Sequence, residues 1–277
     1  RAAAVPGVLL AAPLTIQLNI SNGVSSEEGP FARLLRVPGG DEGECLLAVA
    51  EAQGPEGAEV CDNALEYLSR AFAAGNLSIS RRMLDGLKGI HQGLAGDNRN
   101  SLPEHKVTLG IVLGFVRGED LYLAQAGNAN AYLIDNEGCH LLTPGGEGAP
   151  EVLGGVRPPQ LVVRRLRLQA GQRVLFLAGG NYQNSCDGPL IPAFQGGIEE
   201  GMMAVFRRCR GAKALGAMAL EVPGGEPHQY PTAQAVRYGG GRRNRADVLK
   251  GRRTDFPGQV PGLPSSEQHG ADVARHL

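Results

Sequence analysis

The chain has 277 residues and a formal net charge of −1 from 27 basic and 28 acidic groups, so as a whole it is not built to hold nucleic acid or an anionic membrane. Its 42% hydrophobic and 20% charged residues are those of an ordinary globular protein, large enough to bury a core without disulfide or metal staples. Gly and Pro fill 59 of the 277 positions, about 21% against a usual ~12%, which implies many turns and at least one poorly ordered segment.

The chain opens at Arg1 rather than Met, as a fragment or processed form would. Ala2–Ile16 is apolar but broken by Pro6, Gly7 and Pro13, too short to span a bilayer and a poor signal sequence. Cys45–Ala50 is a continuous apolar run that suits a buried strand. Val60, Ala64, Leu65, Leu68 and Phe72 recur on one face of a helix ending near Gly75. Ile79, Met83, Leu84, Leu87, Ile90 and Leu94 mark a second amphipathic helix, stopped by Gly96, with loop chemistry over Asp97–Pro103. Val107–Val116 and Leu121–Ala126 flank a turn at Arg117–Asp120, and Ala131–Ile134 and Cys139–Leu142 flank another at Asp135–Gly138. Leu161–Leu168 alternates Leu and Val with Arg, a strand with one wet face. Val174–Leu177 is a buried strand, Ile198–Phe206 a short helix and Ala214–Val222 a closing strand. This order predicts a sheet-rich α+β domain rather than alternating strand and helix crossovers.

Composition changes near Val222. Residues 1–222 carry 19 basic and 23 acidic groups, whereas residues 223–277 carry 8 and 5, with 9 Gly and 6 Pro. The predicted organisation is a domain over 1–222 and a flexible tail or linker over 223–277. Arg242, Arg243, Arg245, Arg252 and Arg253 make the tail a candidate polyanion-binding segment. Tyr238 is the only aromatic residue among them, so support from base stacking is thin and a solvated linker is the better reading.

The five cysteines, Cys45, Cys61, Cys139, Cys186 and Cys209, show no CxxC and no Cys/His cluster. Reduced thiols in a cytoplasmic setting are the simpler expectation. His91, His105 and His140 lack metal-ligand spacing, and His91 reads as packing beside its helix stripe. Ser185-Cys186-Asp187 has no nucleophile elbow. The pairs Gly39-Gly40, Gly145-Gly146 and Gly179-Gly180 belong to no phosphate-binding motif and read as turns.

Five segments in order carry a family likeness: Leu46–Gly54, Ala124–Leu133, Leu141–Gly145, Leu168–Gly180 and Lys213–Met218. Across about Leu14–Val222 the chain resembles the metal-dependent type 2C (PPM) protein serine/threonine phosphatases. These segments stand where that family writes V-A-D-G-M-G, N-x-G-D-S-R-A-Y-L, L-T-x-D, S-D-G and D-N-x-T. The resemblance implies a four-layer αββα sandwich of two antiparallel sheets flanked by helices, with two divalent cations at one end activating water against a phosphomonoester.

The metal positions depart from that pattern. Glu51 replaces the bridging Asp, Ala52 its following Gly, Gly179 the Asp of S-D-G and Lys213 the Asp of D-N. The N-terminal acidic position falls near Pro30, with Glu27 or Glu28 as shifted substitutes; Asn128 and Asn130 replace a structural Asp–Arg pair. Hard cations need oxygen ligands, mainly carboxylates, so the resemblance implies a degenerate member without cofactor. The leading expectation is a catalytically inactive module that binds an unidentified protein partner through the emptied cleft, with Glu51, Gln53, Asn181, Tyr182 and Gln183 as candidate contacts. The alternatives are a weak Mg²⁺- or Mn²⁺-dependent phosphatase, and a structural domain whose functional contact is the basic tail. No membrane contact is expected, and nucleic acid only through the tail.

Overall fold

Apolar runs alternating between faces build two antiparallel sheets among the residues that the computed structural model describes: 13–36, 44–73, 77–135, 137–143, 151–179 and 190–222. The chain order is β1 (Leu14–Ser21), β2 (Val24–Ser26), β3 (Ala32–Arg36), β4 (Cys45–Gln53), α1 (Gly57–Ala73), α2 (Ile79–Asn100), β5 (Thr108–Arg117) and β6 (Asp120–Ala126). It continues through β7 (Asn130–Ile134), β8 (Cys139–Leu141), β9 (Val163–Arg167), β10 (Arg173–Ala178), α3 (Leu190–Gly196), α4 (Ile198–Cys209) and β11 (Ala214–Glu221). One sheet runs β2-β1-β11-β10-β7-β8 and the other β3-β4-β5-β6-β9.

Strand β4 shows how four layers follow from period two. Leu46, Ala48 and Ala50 pack with Val60, Leu65, Met83 and Leu87 of α1 and α2. Leu47 and Val49 point the other way, into a core shared with Val174, Phe176, Met218 and Leu220 of β10 and β11. On the outer face of that second sheet, Leu175, Leu177 and Leu215 meet Phe194 of α3 and Met202 and Val205 of α4. The architecture is the expected αββα sandwich, with the first two helices on one sheet.

Several expectations need correction. Gly96 does not stop α2, which runs on to Asn100 and gives way at Ser101, just before Pro103. A Cβ at Gly96 would meet nothing within 4 Å and its φ is not positive; a glycine that is merely tolerated costs a helix little. The Asp97–Pro103 loop is thus helical over its first four residues. Helix α3 precedes α4, and α4 extends to Cys209.

Strand β9 is not the one-wet-face strand expected, because Val163 packs toward the helices while Leu166 packs toward the inter-sheet core. Nor are all five thiols reduced. Cys139 is disulfide-bonded on the edge strand β8, while Cys45, Cys61 and Cys209 are buried and form no disulfide. The thiol argument for a cytoplasmic setting loses its force accordingly. Among the described residues no helix is long and apolar enough to cross a membrane. The proposed tail at 223–277 lies outside the described residues.

Two buried amides tie these layers together. Asn19 of β1, 1% exposed, accepts from Phe31 N at 2.9 Å and Ala32 N at 2.8 Å and donates to Glu27 O at 3.0 Å. Asn98 of α2 accepts from Val107 N at 2.9 Å and donates to Val107 O at 2.7 Å and Gly154 O at 2.8 Å. Replacing Asn19 with Ala strands two buried N–H donors, which should cost about 2–4 kcal/mol. A urea melt tests this, and an unchanged midpoint would refute the assigned role.

His91 of α2 lies beside the second tie, its Nδ1 accepting from Gly154 N at 3.2 Å. Burial lowers its pKa from 6.5, so the folded state holds the neutral ring more firmly than the unfolded chain does. Its stabilising contribution is therefore complete above pH 6.5 and declines as pH falls through the window below that value. The melting temperature should drop on acidification over that window, and His91→Gln should flatten this slope. An identical slope in the variant would remove His91 as its source.

Candidate functional site

Glu51 is placed by the same alternation that sorts β4 into two faces. It follows Val49 on the inter-sheet face and pairs with Gly110 of β5 at the end of the ladder. Gly54 follows with φ +123°, and a Cβ there would lie 2.6 Å from Lys106 O. That turn tolerates only glycine. Gln53 is exposed at the same strand end.

On the helix-facing side of the same strand end lies Cys61 of α1. Burial pushes its thiol up to about 12, with the Glu51 and Asp62 charges adding to the rise and a backbone hydrogen bond with Ala52 opposing it. A thiol held protonated at neutral pH is neither nucleophile nor metal ligand.

The facing sheet contributes no carboxylate where the resemblance places two. Gly179 follows the last residue of β10 with φ +142°, and a Cβ there would lie 2.8 Å from Ala214 O and 3.1 Å from the Leu215 Cα. The strand end is thus closed to a side chain by both conformation and contact. Lys213 is exposed before β11, and its carbonyl accepts from Asn22 N at 2.7 Å. Asn22 and Gly23, at φ 50° and 77°, form the two-residue turn between β1 and β2.

The resemblance places the N-terminal acidic position near Pro30, which precedes Phe31. Phe31 O accepts from Ala50 N at 2.8 Å and presses so closely on Gly216 of β11 that a Cβ there would collide with it. Glu27 and Glu28 are exposed, with their backbone carbonyls engaged by Asn19 and Ser26. Among the described residues, no three of His, Cys, Asp and Glu come together in a group able to hold a metal.

Two dications 4 Å apart repel by ~4 kcal/mol in bulk water and ~16 kcal/mol at an effective dielectric of 20. A donor set of the Glu51 carboxylate and a main-chain carbonyl beside an ammonium does not fit such a pair. Where the resemblance places a charged structural pair, the hairpin is held by neutral groups: Asn130 Oδ1 accepts from Gln125 Nε2 at 3.2 Å and from buried Thr143 Oγ1 at 3.0 Å. The sequence reading picked out Asn130 as a loss, but not Gln125 and Thr143 as its new partners. Their signal was the polar residue ending each neighbouring apolar run.

Of the remaining candidates, Asn181, Tyr182, Gln183, the Ser185–Asp187 segment and the five tail arginines lie outside the described residues. His140 stands 3.5 Å from Asp135 on the β7–β8 hairpin, and His105 is exposed in a short 3₁₀ turn.

The fold is that of the PP2C-type serine/threonine phosphatases. The serine/threonine phosphatase of S. agalactiae superposes with a TM-score of 0.62 at 13% identity, over 75% of this chain and 98% of that one. Stp1 from Staphylococcus aureus gives 0.59 at 15% identity, over 80% and 100%. The catalytic domain of the phosphatase PstP, solved with two manganese ions, gives 0.55 at 14% identity, over 76% and 100%. No protein-family model and no curated protein sequence matches the chain.

The backbone at Gly179 makes a paired prediction. Gly179→Ala should destabilise the domain by about 1–3 kcal/mol, through a strained φ and contact with Ala214. Gly96→Ala, in open helical space, should stabilise it by ~0.4–1 kcal/mol. Equal effects in thermal melts would mean that Gly179 is not constrained. Gly179→Asp meets the same strain, so Lys213→Asp is the less costly step toward metal affinity, and any variant with a side chain at 179 requires the β10 end to move.

Proposed function

We infer that this domain uses the PP2C-type fold as a protein-binding or regulatory module and does not hydrolyse phosphomonoesters. The observation that carries the reading is Gly179, whose φ of +142° and packing against Ala214 leave no room for a carboxylate at the strand end that needs one. Lys213 adds a positive charge at a second such position, and the Cys61 thiol supplies no substitute donor. Glu51 remains as an acceptor at the mouth of the inter-sheet core, suited to a hydrogen bond with a partner rather than to metal chemistry.

Calorimetric titration with Mn²⁺ and Mg²⁺, followed by a p-nitrophenyl phosphate assay with excess Mn²⁺, tests this. The expected result is no dication binding tighter than millimolar and no turnover above the metal blank. Stoichiometric micromolar Mn²⁺ binding, or turnover abolished by Glu51→Gln, would establish an unusual phosphatase instead.

A further inference from the structure

A cleft of about 250 Å³ opens along the side where β8 and β9 end their sheets, lined by Leu123, Gln125, Thr143, Gln160, Val162 and Arg164. Strand β9 bonds to β6 and to no other described strand, so its second edge offers main-chain donors and acceptors to an incoming segment. Three arginines alternate along it. Arg165 reaches Asp120 at 2.6 Å and lies over the Tyr122 ring, and Arg167 reaches Glu119 at 2.7 Å. Arg164 points to the opposite face, into the cleft, and among the described residues it forms no ion pair.

Among the other polar groups of the cleft, the Gln125 amide and the Thr143 hydroxyl are committed, and the Gln160 side chain is neutral. Gln125 Nε2 donates to Gly127 O at 3.0 Å and to Asn130 Oδ1 at 3.2 Å. Thr143 Oγ1 donates to Asn130, and Gln160 N donates to the Glu151 carboxylate at 2.9 Å. The charged group of the cleft is a guanidinium with five N–H donors, beside Val162, which is 61% exposed. We propose that an extended acidic peptide docks here, adding a strand to the open edge of β9 with one carboxylate on Arg164 and its neighbouring apolar side chains against Val162.

Charge selects this occupant. A second copy of β9 would bring two unneutralised Arg164 side chains to one edge, and such charges on edge strands suppress self-pairing. An acidic strand supplies both the missing counterion and the missing main-chain partners. The proposal rests on the reading of the domain as a binding module and gives that module a surface and a partner chemistry.

The test is fluorescence anisotropy of the full chain with a labelled heptapeptide of alternating Glu and Val, blocked at both ends, and with its Gln–Val counterpart. The Glu peptide should bind, and both the Gln peptide and Arg164→Gln should weaken binding roughly five- to tenfold. Arg207→Gln on α4 should change nothing, and neither should exchanging the five tail arginines for glutamine. Amide shifts should centre on Val163–Arg167, and N-methylation along the pairing edge of the peptide should abolish binding. Equal affinity for both peptides, insensitivity to Arg164→Gln, or binding lost with the tail arginines would overturn the proposal. So would displacement of the peptide by single-stranded RNA at lower concentration than unlabelled peptide. Failure here leaves the metal and turnover results standing, and a positive manganese titration leaves the peptide result standing, so each reading fails separately.

Discussion

Asn19 is a polar residue at a place where the fold allows no water. Its strand belongs to one sheet, and the two amides its Oδ1 receives, from Phe31 and Ala32, stand at the start of β3 in the other. Gly29 is glycine because a Cβ there would lie 2.7 Å from the Asn19 Cβ. Once Phe31 is pinned, its carbonyl takes the Ala50 amide on one side and lies against Gly216 on the other. Through these contacts a single side-chain amide sets the spacing of β4 and β11 at the end of the sandwich that carries Glu51. An unsatisfied buried amide costs more than an ordinary hydrogen bond contributes, so the arrangement is strongly specified without any metal.

The three apolar layers make that independence intelligible. The inter-sheet core and the two helix-facing cores are closed by Leu, Val, Ile and Phe side chains, and burial at roughly 25 cal/mol per Å² dominates other stabilising terms. Polar work is confined to a few ties: Asn19, Asn98, and the Gln125–Asn130–Thr143 group. The last is neutral where the resembled family writes a charged pair. Neutral amides in a partly buried hairpin avoid the desolvation cost that charges carry, so the hairpin holds its register without an ion pair at Asn130.

Much of this fold can be read from apolar periodicity. The buried run at Cys45–Ala50, the α1 and α2 stripes and both hairpins of the meander stand where their patterns place them, because each buries a face wide enough to show. The first three strands are harder. β1 is half-buried, interrupted by Gln17 and Asn19, and β2 is only three residues long; the Asn22-Gly23 turn was the signal for them. Helix α3 is seven residues containing Pro192, too short for periodicity to register. At the site, sequence shows which residues stand where the resemblance places carboxylates. It does not tell that Gly179 has a backbone no other residue adopts easily, since that depends on where β11 lies. Arg164 is indistinguishable in sequence from Arg165 and Arg167, and only the pairing of β9 with β6 separates the two neutralised arginines from the third.

Metal ions and the carboxylates that hold them are physically coupled, and that coupling bears on how such a site changes. A cluster of carboxylates kept without its cations would repel itself by energies of the same order as the dications do, worsened by the low dielectric between two sheets. At the Glu51 end of the sandwich this chain carries that acid, an uncharged Gly179 and a positively charged Lys213, so among the described residues the carboxylates do not crowd one another. At the side, Arg164 borders a cleft beside β9, whose described pairing is with β6 alone, and a guanidinium without a described counterion attracts an anion rather than a cation. Under the docking proposal, the guanidinium on the inter-sheet face of β9 selects the sign of its partner, an acidic strand over a basic one.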